Sequence, residues 1–263
     1  MQRAIDHLLD AQPLALATDF DGTLSHIVPS PELATIDLGC RESLAKLSEM
    51  LPLVAVLSGR PVEEVRQLVG LPGVVYIGNH GLERWEKGDR YVDPRASWYA
   101  PMIGGILERA HQELKLPGLL FEQKGVSASI HYRLAQDPAA ARKLVATLLR
   151  DLAAETSVKV VEGRRVVELR PPLDADKGTA LLDLLRKCTV GSIVYAGDDQ
   201  TDLDAFRGIH HWAAQEDRWA LALGVISSEM PPGLTEEADL TVEGVEGMAE
   251  FLALLAEALP RKH

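Results

Sequence analysis

Leu14-Ala15-Leu16-Ala17-Thr18-Asp19-Phe20-Asp21-Gly22-Thr23 is the stretch on which the fold turns. Its apolar start, bounded by turn residues, reads as a buried parallel strand, and Asp19 stands at the carboxyl end, where open α/β sheets bind ligands. Asp21 comes two positions later. Along extended chain that spacing returns a side chain to the same side, and Gly22 lets the backbone turn away tightly. Two carboxylates can therefore address one substrate. A plain Asp-Gly turn explains this piece in isolation, so its meaning depends on what the rest of the chain brings to it.

Ser192-Ile193-Val194-Tyr195-Ala196 repeats the arrangement: a buried-strand run, then Gly197, Asp198 and Asp199, with Asp202 close behind. Thr201 reads as the N-cap of a helix through Leu203, Ala205 and Phe206. One acid at a helix start is explained by the dipole. Several acids after a strand end repel one another and lose hydration unless a cation holds them, and carboxylate and carbonyl oxygens suit Mg²⁺. Leu53-Val54-Ala55-Val56-Leu57 forms a third strand, which delivers Ser58 and Arg60 before a helix opened by Pro61. Ser58 can donate a hydroxyl hydrogen bond to a phosphoryl oxygen, and the N–H groups of that helix start suit an anion. Asp174-Ala175-Asp176-Lys177-Gly178 precedes a helix through Leu181, Leu182, Leu184 and Leu185, and Lys177 can place a point charge on a phosphate. Singly, a capping Ser58 and a solvated Lys177 are the ordinary roles. Together, and in this order, the pieces read as one Mg²⁺-dependent phosphoryl-transfer site.

In that order Asp19-x-Asp21-Gly22-Thr23, Ser58, Lys177 and Gly197-Asp198-Asp199-x-Thr201-Asp202 resemble the motifs of the haloacid dehalogenase superfamily. More narrowly, nearly the whole chain resembles the trehalose-6-phosphate phosphatases. That likeness rests on Ser58-Gly59-Arg60-Pro61, Gly78-Asn79-His80-Gly81-Leu82-Glu83, Glu122-Gln123-Lys124-Gly125, His131-Tyr132-Arg133 and Val167-Glu168-Leu169-Arg170-Pro171. In one departure, Leu203 follows Thr201-Asp202 where the family pattern commonly has an acid.

The resemblance implies an α/β fold, a Rossmann-like parallel-sheet core of the haloacid dehalogenase type with an inserted α/β cap. It also implies hydrolysis of trehalose 6-phosphate through an aspartyl-phosphate. Asp19 is the nucleophile, Asp21 the acid and then base, and Ser58 and Lys177 stabilise the phosphoryl group. Asp19, Asp198 and the Asp21 carbonyl hold Mg²⁺ with Asp202 in support, and Arg60 is a further phosphate contact. The rival substrates are another glycosyl phosphate, such as sucrose 6-phosphate or a glucosylglycerol phosphate. A hexose phosphomutase, a phosphate-accepting receiver module and a sugar-phosphate sensor without turnover are the rival classes.

Composition fits a soluble, reduced, cytoplasmic enzyme. At 263 residues, 46% of them hydrophobic, the chain can bury a large core. A net charge of −12 argues against nucleic acid or an anionic membrane as partner. Cys40 and Cys188 are lone thiols that indicate neither a disulfide framework nor a zinc site. The residues before Pro13 include Arg3, Asp6 and Asp10 and do not read as a signal peptide, and no apolar run is long enough to span a bilayer. Nothing in the pattern addresses oligomeric state.

The expected organisation is a catalytic core of residues 1–82 and 173–263 and a cap of residues 83–172 that sets specificity. Within the cap we expect a helix over 98–116, strands over 119–124 and 126–133, a helix over 138–155, and a hairpin of 158–161 with 166–170. Val126, Ala128, Ile130 and Tyr132 alternate with Ser127, Ser129, His131 and Arg133, the period of a half-covered antiparallel sheet. Strand parity puts Glu122 with Lys124, His131 with Arg133, and Glu168 with Arg170. Such residues ordinarily form a solvated face; the resemblance implies instead that Glu122, Lys124 and Glu168 hold the hydroxyls of the trehalose portion. His80 is read as shaping the hinge of the insertion, and His210 and His211 as structural residues of a strand.

Overall fold

The computed structural model describes residues 1–215 and 218–260. It divides into two compact units, Met1–Tyr91 with Ala175–His263, and Val92–Asp174. The larger unit begins with α1 (Gln2–Asp10), β1 (Leu14–Asp19), α2 (Leu38–Met50), β2 (Leu53–Leu57), α3 (Val62–Val69), β3 (Val75–Gly78), β4 (Glu83–Glu86) and β5 (Asp89–Val92). The smaller unit supplies α4 (Pro94–Glu113), β6 (Leu120–Gln123), β7 (Ala128–His131), α5 (Pro138–Ala153), β8 (Lys159–Gly163) and β9 (Val166–Arg170). The chain then completes the larger unit with α6 (Lys177–Leu185), β10 (Ser192–Gly197), α7 (Asp202–Ala213), β11 (Trp219–Ile226), α8 (Leu234–Glu237), β12 (Leu240–Glu243) and α9 (Gly244–Ala258). Among the described residues no helix is long and apolar enough to cross a membrane.

The sheet of the larger unit runs β12-β11-β10-β1-β2-β3-β4-β5. Its six strands from β12 to β3 pair in parallel. Every residue of β1, β2 and β10 is buried, because helices cover both faces. Alternation sorts their side chains. Leu14, Leu16, Val54, Val56 and Val194 join α1, α2, α3 and α9 in one core, while Ala15, Ala17, Leu53, Ala55, Ile193 and Tyr195 join α6 and α7 in the other. Truncating Leu16 to Ala would open a cavity in a fully buried layer and cost about 2–5 kcal/mol. The chain leaves β1 for β2 and β3 on one side, then returns to β10 on the other. Strand order thus reverses beside β1, and the crevice at the carboxyl ends of β1 and β10 is the switch point where open α/β sheets bind ligands.

The expected core boundary at residue 82 needs correction. Residues 83–91 belong to the larger unit, where β4 pairs antiparallel with β3 and β5 forms the sheet edge. The connecting Lys87-Gly88 pair has φ of 52° and 92°, the left-handed pair of a tight hairpin turn. A second correction concerns His210 and His211, which lie on α7 and not on a strand. The buried Leu203, Phe206, Ile209 and Trp212 recur with helical spacing, so this segment packs as a helix.

In the smaller unit an antiparallel sheet of order β6-β7-β9-β8 has one face covered by α4 and α5. Ile103, Ile106, Leu107, Val145 and Leu149 of the helices pack with Ala128, Ile130, Val167 and Leu169 of the sheet. The expected helices form with shifted ends. The helix placed at 98–116 begins earlier, because the Asp93 carboxylate accepts from Arg95 N at 2.8 Å and Pro94 occupies the first turn. Asp137 caps α5 likewise, accepting from Ala139 N and Ala140 N, each at 3.0 Å.

Candidate active site

Three carboxylates meet beside the switch point: Asp19 at the end of β1, Asp198 just after β10, and Asp202 at the start of α7. They offer oxygens within 4.8 Å of one another, and all three are buried. Lys177 reaches them from the first turn of α6. Its backbone is set by a capping box in which Asp176 Oδ1 accepts from Thr179 N at 2.7 Å while Thr179 Oγ1 accepts from Asp176 N at 3.0 Å. Lys177 Nζ donates to Asp19 Oδ1 at 2.6 Å and Asp202 Oδ1 at 2.7 Å. Burial disfavours the ammonium, yet Asp19 and Asp202 outweigh it and hold Lys177 above its ordinary pKa. Burial pushes the Asp19 carboxyl well up; Lys177 opposes that shift, and Asp202, Asp198 and Asp21 reinforce it.

Asp202 is held by four donors. Its Oδ1 accepts from Lys177 and from Tyr195 OH at 2.7 Å, and its Oδ2 accepts from Asp198 N at 3.0 Å and Asp199 N at 2.9 Å. Those four donors fill the lone-pair directions of a carboxylate. Asp202 thereby holds both Lys177 and the loop that carries Asp198. Tyr195, which the sequence presents only as strand filling, is a working part of this arrangement; burial and then Asp202 push its hydroxyl up, so it stays a donor. Thr201 occupies the N-cap position of α7 without a side-chain cap bond.

The donor set fits a divalent cation. One ammonium against three carboxylates leaves two charges to neutralise, and oxygens alone are offered. The backbone is shaped for close approach as well. Gly22 has φ of 93°, and a Cβ there would lie 2.1 Å from Asp198 Oδ2, so the Asp21-Gly22 peptide can rest against the Asp198 carboxylate only because residue 22 lacks a side chain.

The Ser58-Gly59-Arg60 segment continues from β2, the neighbour of β1. Ser58 is buried, and its Oγ accepts from Arg60 N at 3.1 Å. The Arg60 guanidinium does not point outward as a phosphate contact. It grips both oxygens of Asp21, at 2.8 and 2.7 Å, and also bonds Pro31 O at 3.0 Å and the Glu64 carboxylate. The expected anion site at the start of α3 is likewise taken in part by the protein itself, because Val62 N donates to Glu83 Oε2 at 2.7 Å.

On the face of the smaller unit's sheet away from α4 and α5, Glu122, Ser129 and Glu168 stand on one rung across β6, β7 and β9, and Ser129, Glu168 and the neighbouring Lys124 are buried. Glu168 accepts from Lys124 Nζ and Ser129 Oγ, each at 3.2 Å, and from Arg170 Nε at 2.8 Å. Glu122 pairs with His131 Nε2 at 2.8 Å and lies 3.7 Å from Lys124 Nζ. The sequence-expected trio of Glu122, Lys124 and Glu168 is thus brought together, with Ser129, His131 and Arg170 joined to it.

This fold is shared with a haloacid dehalogenase-like hydrolase from Bacteroides thetaiotaomicron, on which it superposes with a TM-score of 0.63, at 17% identity over 92% of this chain and 98% of that one. The sequence model of the trehalose-phosphatase family matches residues 17–223, and the chain belongs to that family. A trehalose-phosphate phosphatase of Mycobacterium bovis is 39% identical over 208 residues, which are 76% of this chain and 52% of that protein. The chain spans about half the length of the curated relatives it matches. The C-terminal domain of a C. albicans trehalose-6-phosphate phosphatase superposes with a TM-score of 0.80 at 22% identity, over 97% of this chain and 96% of that one.

Proposed function

We propose that this chain hydrolyses trehalose 6-phosphate to trehalose and phosphate, with Mg²⁺ as its cofactor. The observation that carries the reading is the convergence of Asp19, Lys177, Asp198 and Asp202 at the switch point of a trehalose-phosphatase family fold. Lys177 holds the Asp19 carboxylate by Oδ1, so the attacking group is presented by a side chain whose rotation is restrained. Asp19 attacks phosphorus in line, the P–O bond to the sugar breaks, and Asp21 delivers a proton to the departing sugar oxygen. Asp21, now a carboxylate, takes a proton from water as the water attacks the aspartyl-phosphate and releases phosphate. Ser58 donates its hydroxyl hydrogen to the phosphoryl group, and Arg60 orients Asp21. Mg²⁺ held by Asp19, Asp198 and the Asp21 carbonyl would neutralise phosphoryl oxygen charge. Glu122, Lys124 and Glu168 hydrogen-bond the hydroxyls of the trehalose portion.

The test is phosphate release from a panel of sugar phosphates, with and without Mg²⁺. Trehalose 6-phosphate should give the highest kcat/KM, chelation should stop the reaction, and Mg²⁺ should restore it. Ca²⁺ should substitute poorly, because its longer, looser coordination misplaces the nucleophile. A preference for sucrose 6-phosphate or a glucosylglycerol phosphate removes the trehalose assignment. Phosphate passed back to sugar with little release makes the chain a mutase, and binding without turnover makes it a sensor.

A further inference from the structure

Beyond the ends of β2 and β3 the chain forms a second, less conspicuous construction. Asn79, His80 and Gly81 have φ of 48°, 56° and 108°, three consecutive left-handed residues of which two are not glycine. Among the described residues the other non-glycine positions of this kind are Lys87 and Arg165, both at exposed hairpin turns. Asn79 and His80 are buried instead, at 1% and 9% exposure. Buried backbone in this region persists only where its surroundings over-determine it, and such strain concentrates at functional sites.

The surroundings here are the phosphoryl-binding segment itself. Asn79 N donates to Arg60 O at 2.8 Å, His80 N donates to Ser58 O at 3.1 Å, and Ser58 N donates to Ile77 O at 2.9 Å. The His80 ring lies against Gly59, where an added Cβ would stand 2.6 Å from Nε2 and 2.7 Å from Cε1. Ser58 Oγ, with a lone pair engaged by Arg60 N, keeps its own hydrogen to donate. A ring pressed on Gly59 and two amides fastened to the carbonyls on either side of it thus fix the one residue whose hydroxyl direction matters. Downstream, Glu83 anchors the same unit by capping Val62 N.

We propose that the Asn79-His80-Gly81 arch is a positioning element for Ser58, acting through the His80 ring on Gly59 and the backbone bonds to Ser58 and Arg60. The inference deepens the phosphatase reading and rests on it. His80 acts through Gly59 and the carbonyls beside it. Its effect is expected on the phosphoryl group, and therefore on kcat for any phosphate monoester, independent of the sugar.

The experiment compares His80→Asn, which keeps tolerance for left-handed backbone, with Gly59→Ala and with the double variant Gly59→Ala/His80→Gly. His80→Asn should remain folded and lower kcat by about tenfold on both trehalose 6-phosphate and p-nitrophenyl phosphate, with KM within about threefold. Gly59→Ala should lower kcat further, and removing the ring in the double variant should recover part of that loss, since the two sites are in contact. Folded His80→Asn with kcat within twofold of the parent, or a double variant no better than Gly59→Ala, overturns the proposal. If the unsubstituted protein releases no phosphate from any sugar phosphate, the phosphatase reading fails. The arch is then judged by amide hydrogen exchange. His80→Asn must accelerate exchange at Arg60 N, and unchanged protection there overturns the arch as well.

Discussion

In the larger unit three buried carboxylates face one ammonium, whereas on the polar face of the smaller unit Glu122 and Glu168 face Lys124, Arg170 and His131. The first arrangement carries a surplus of negative charge at a point where no solvent relieves it, and its geometry is set by backbone amides, a capping box and strand ends. The second is close to balance, and its members hold one another by side-chain bonds across a strand rung. A surplus of buried charge asks for an ionic guest. A balanced, hydrogen-bonded face offers donors and acceptors to a neutral, hydroxyl-rich one. On the proposed reading, the same residue types serve chemistry in one place and recognition in the other.

Asp19→Asn should break the first arrangement outright, lowering phosphate release from trehalose 6-phosphate and from a generic aryl phosphate by about ten-thousandfold or more, because an amide is a poor nucleophile. Near-normal turnover in a preparation free of contaminating phosphatase would remove Asp19 from that role. Next in size is Lys177→Met. It leaves Asp19 and Asp202 buried without their cation and should cost about 3–5 kcal/mol of stability in chelator, read by urea denaturation. Added Mg²⁺ should return part of that loss; a variant as stable as the parent in chelator contradicts the charge surplus.

The balanced face should respond differently. Glu168→Ala should lower kcat/KM for trehalose 6-phosphate by tenfold or more, as expected when a hydrogen bond worth roughly 1.5–3 kcal/mol is lost, and leave the aryl phosphate nearly unchanged. Equal losses on both substrates would erase the division between the two regions. Smallest is Asp137→Ala, which removes the cap of α5 and should cost about 1 kcal/mol of stability, with aryl phosphate turnover preserved. A matching fall in turnover would show that the chemistry depends on the smaller unit's own stability.

The parts of this comparison were unequally legible in the sequence. β1, β2 and β10 are apolar runs because both sheet faces are covered, and their acidic or hydroxyl endings mark the switch point directly. The alternation from Val126 to Arg133 likewise announces an antiparallel sheet with one apolar face, but it does not foretell that Ser127 and Ser129 on the polar side are buried too. Asp202 is another matter. Its assignment depends on donors from α6, β10 and the loop between β10 and α7 meeting on one carboxylate, and no local pattern records that meeting. Arg60 reads in the sequence as a phosphate contact, whereas the group its guanidinium grips is Asp21, brought beside it by pairing of β1 with β2. The β4–β5 hairpin was hidden because its strands are short and charged and its turn puts a lysine where glycine or asparagine is the usual signal.

The pairing of β1 with β10 also joins segments made far apart in time. Leu14 lies opposite Ser192, while the strand partners of the smaller unit all come from the stretch between residues 120 and 170. Closing a long loop must precede any reward from the contacts it makes, so the central seam is the slow one. On the ribosome the whole of the smaller unit is synthesised before β10 exists, and β1 waits with one edge unpaired. The nascent chain therefore has no acid trio until Asp202 has emerged, so the whole of the smaller unit is made while the trio is still incomplete.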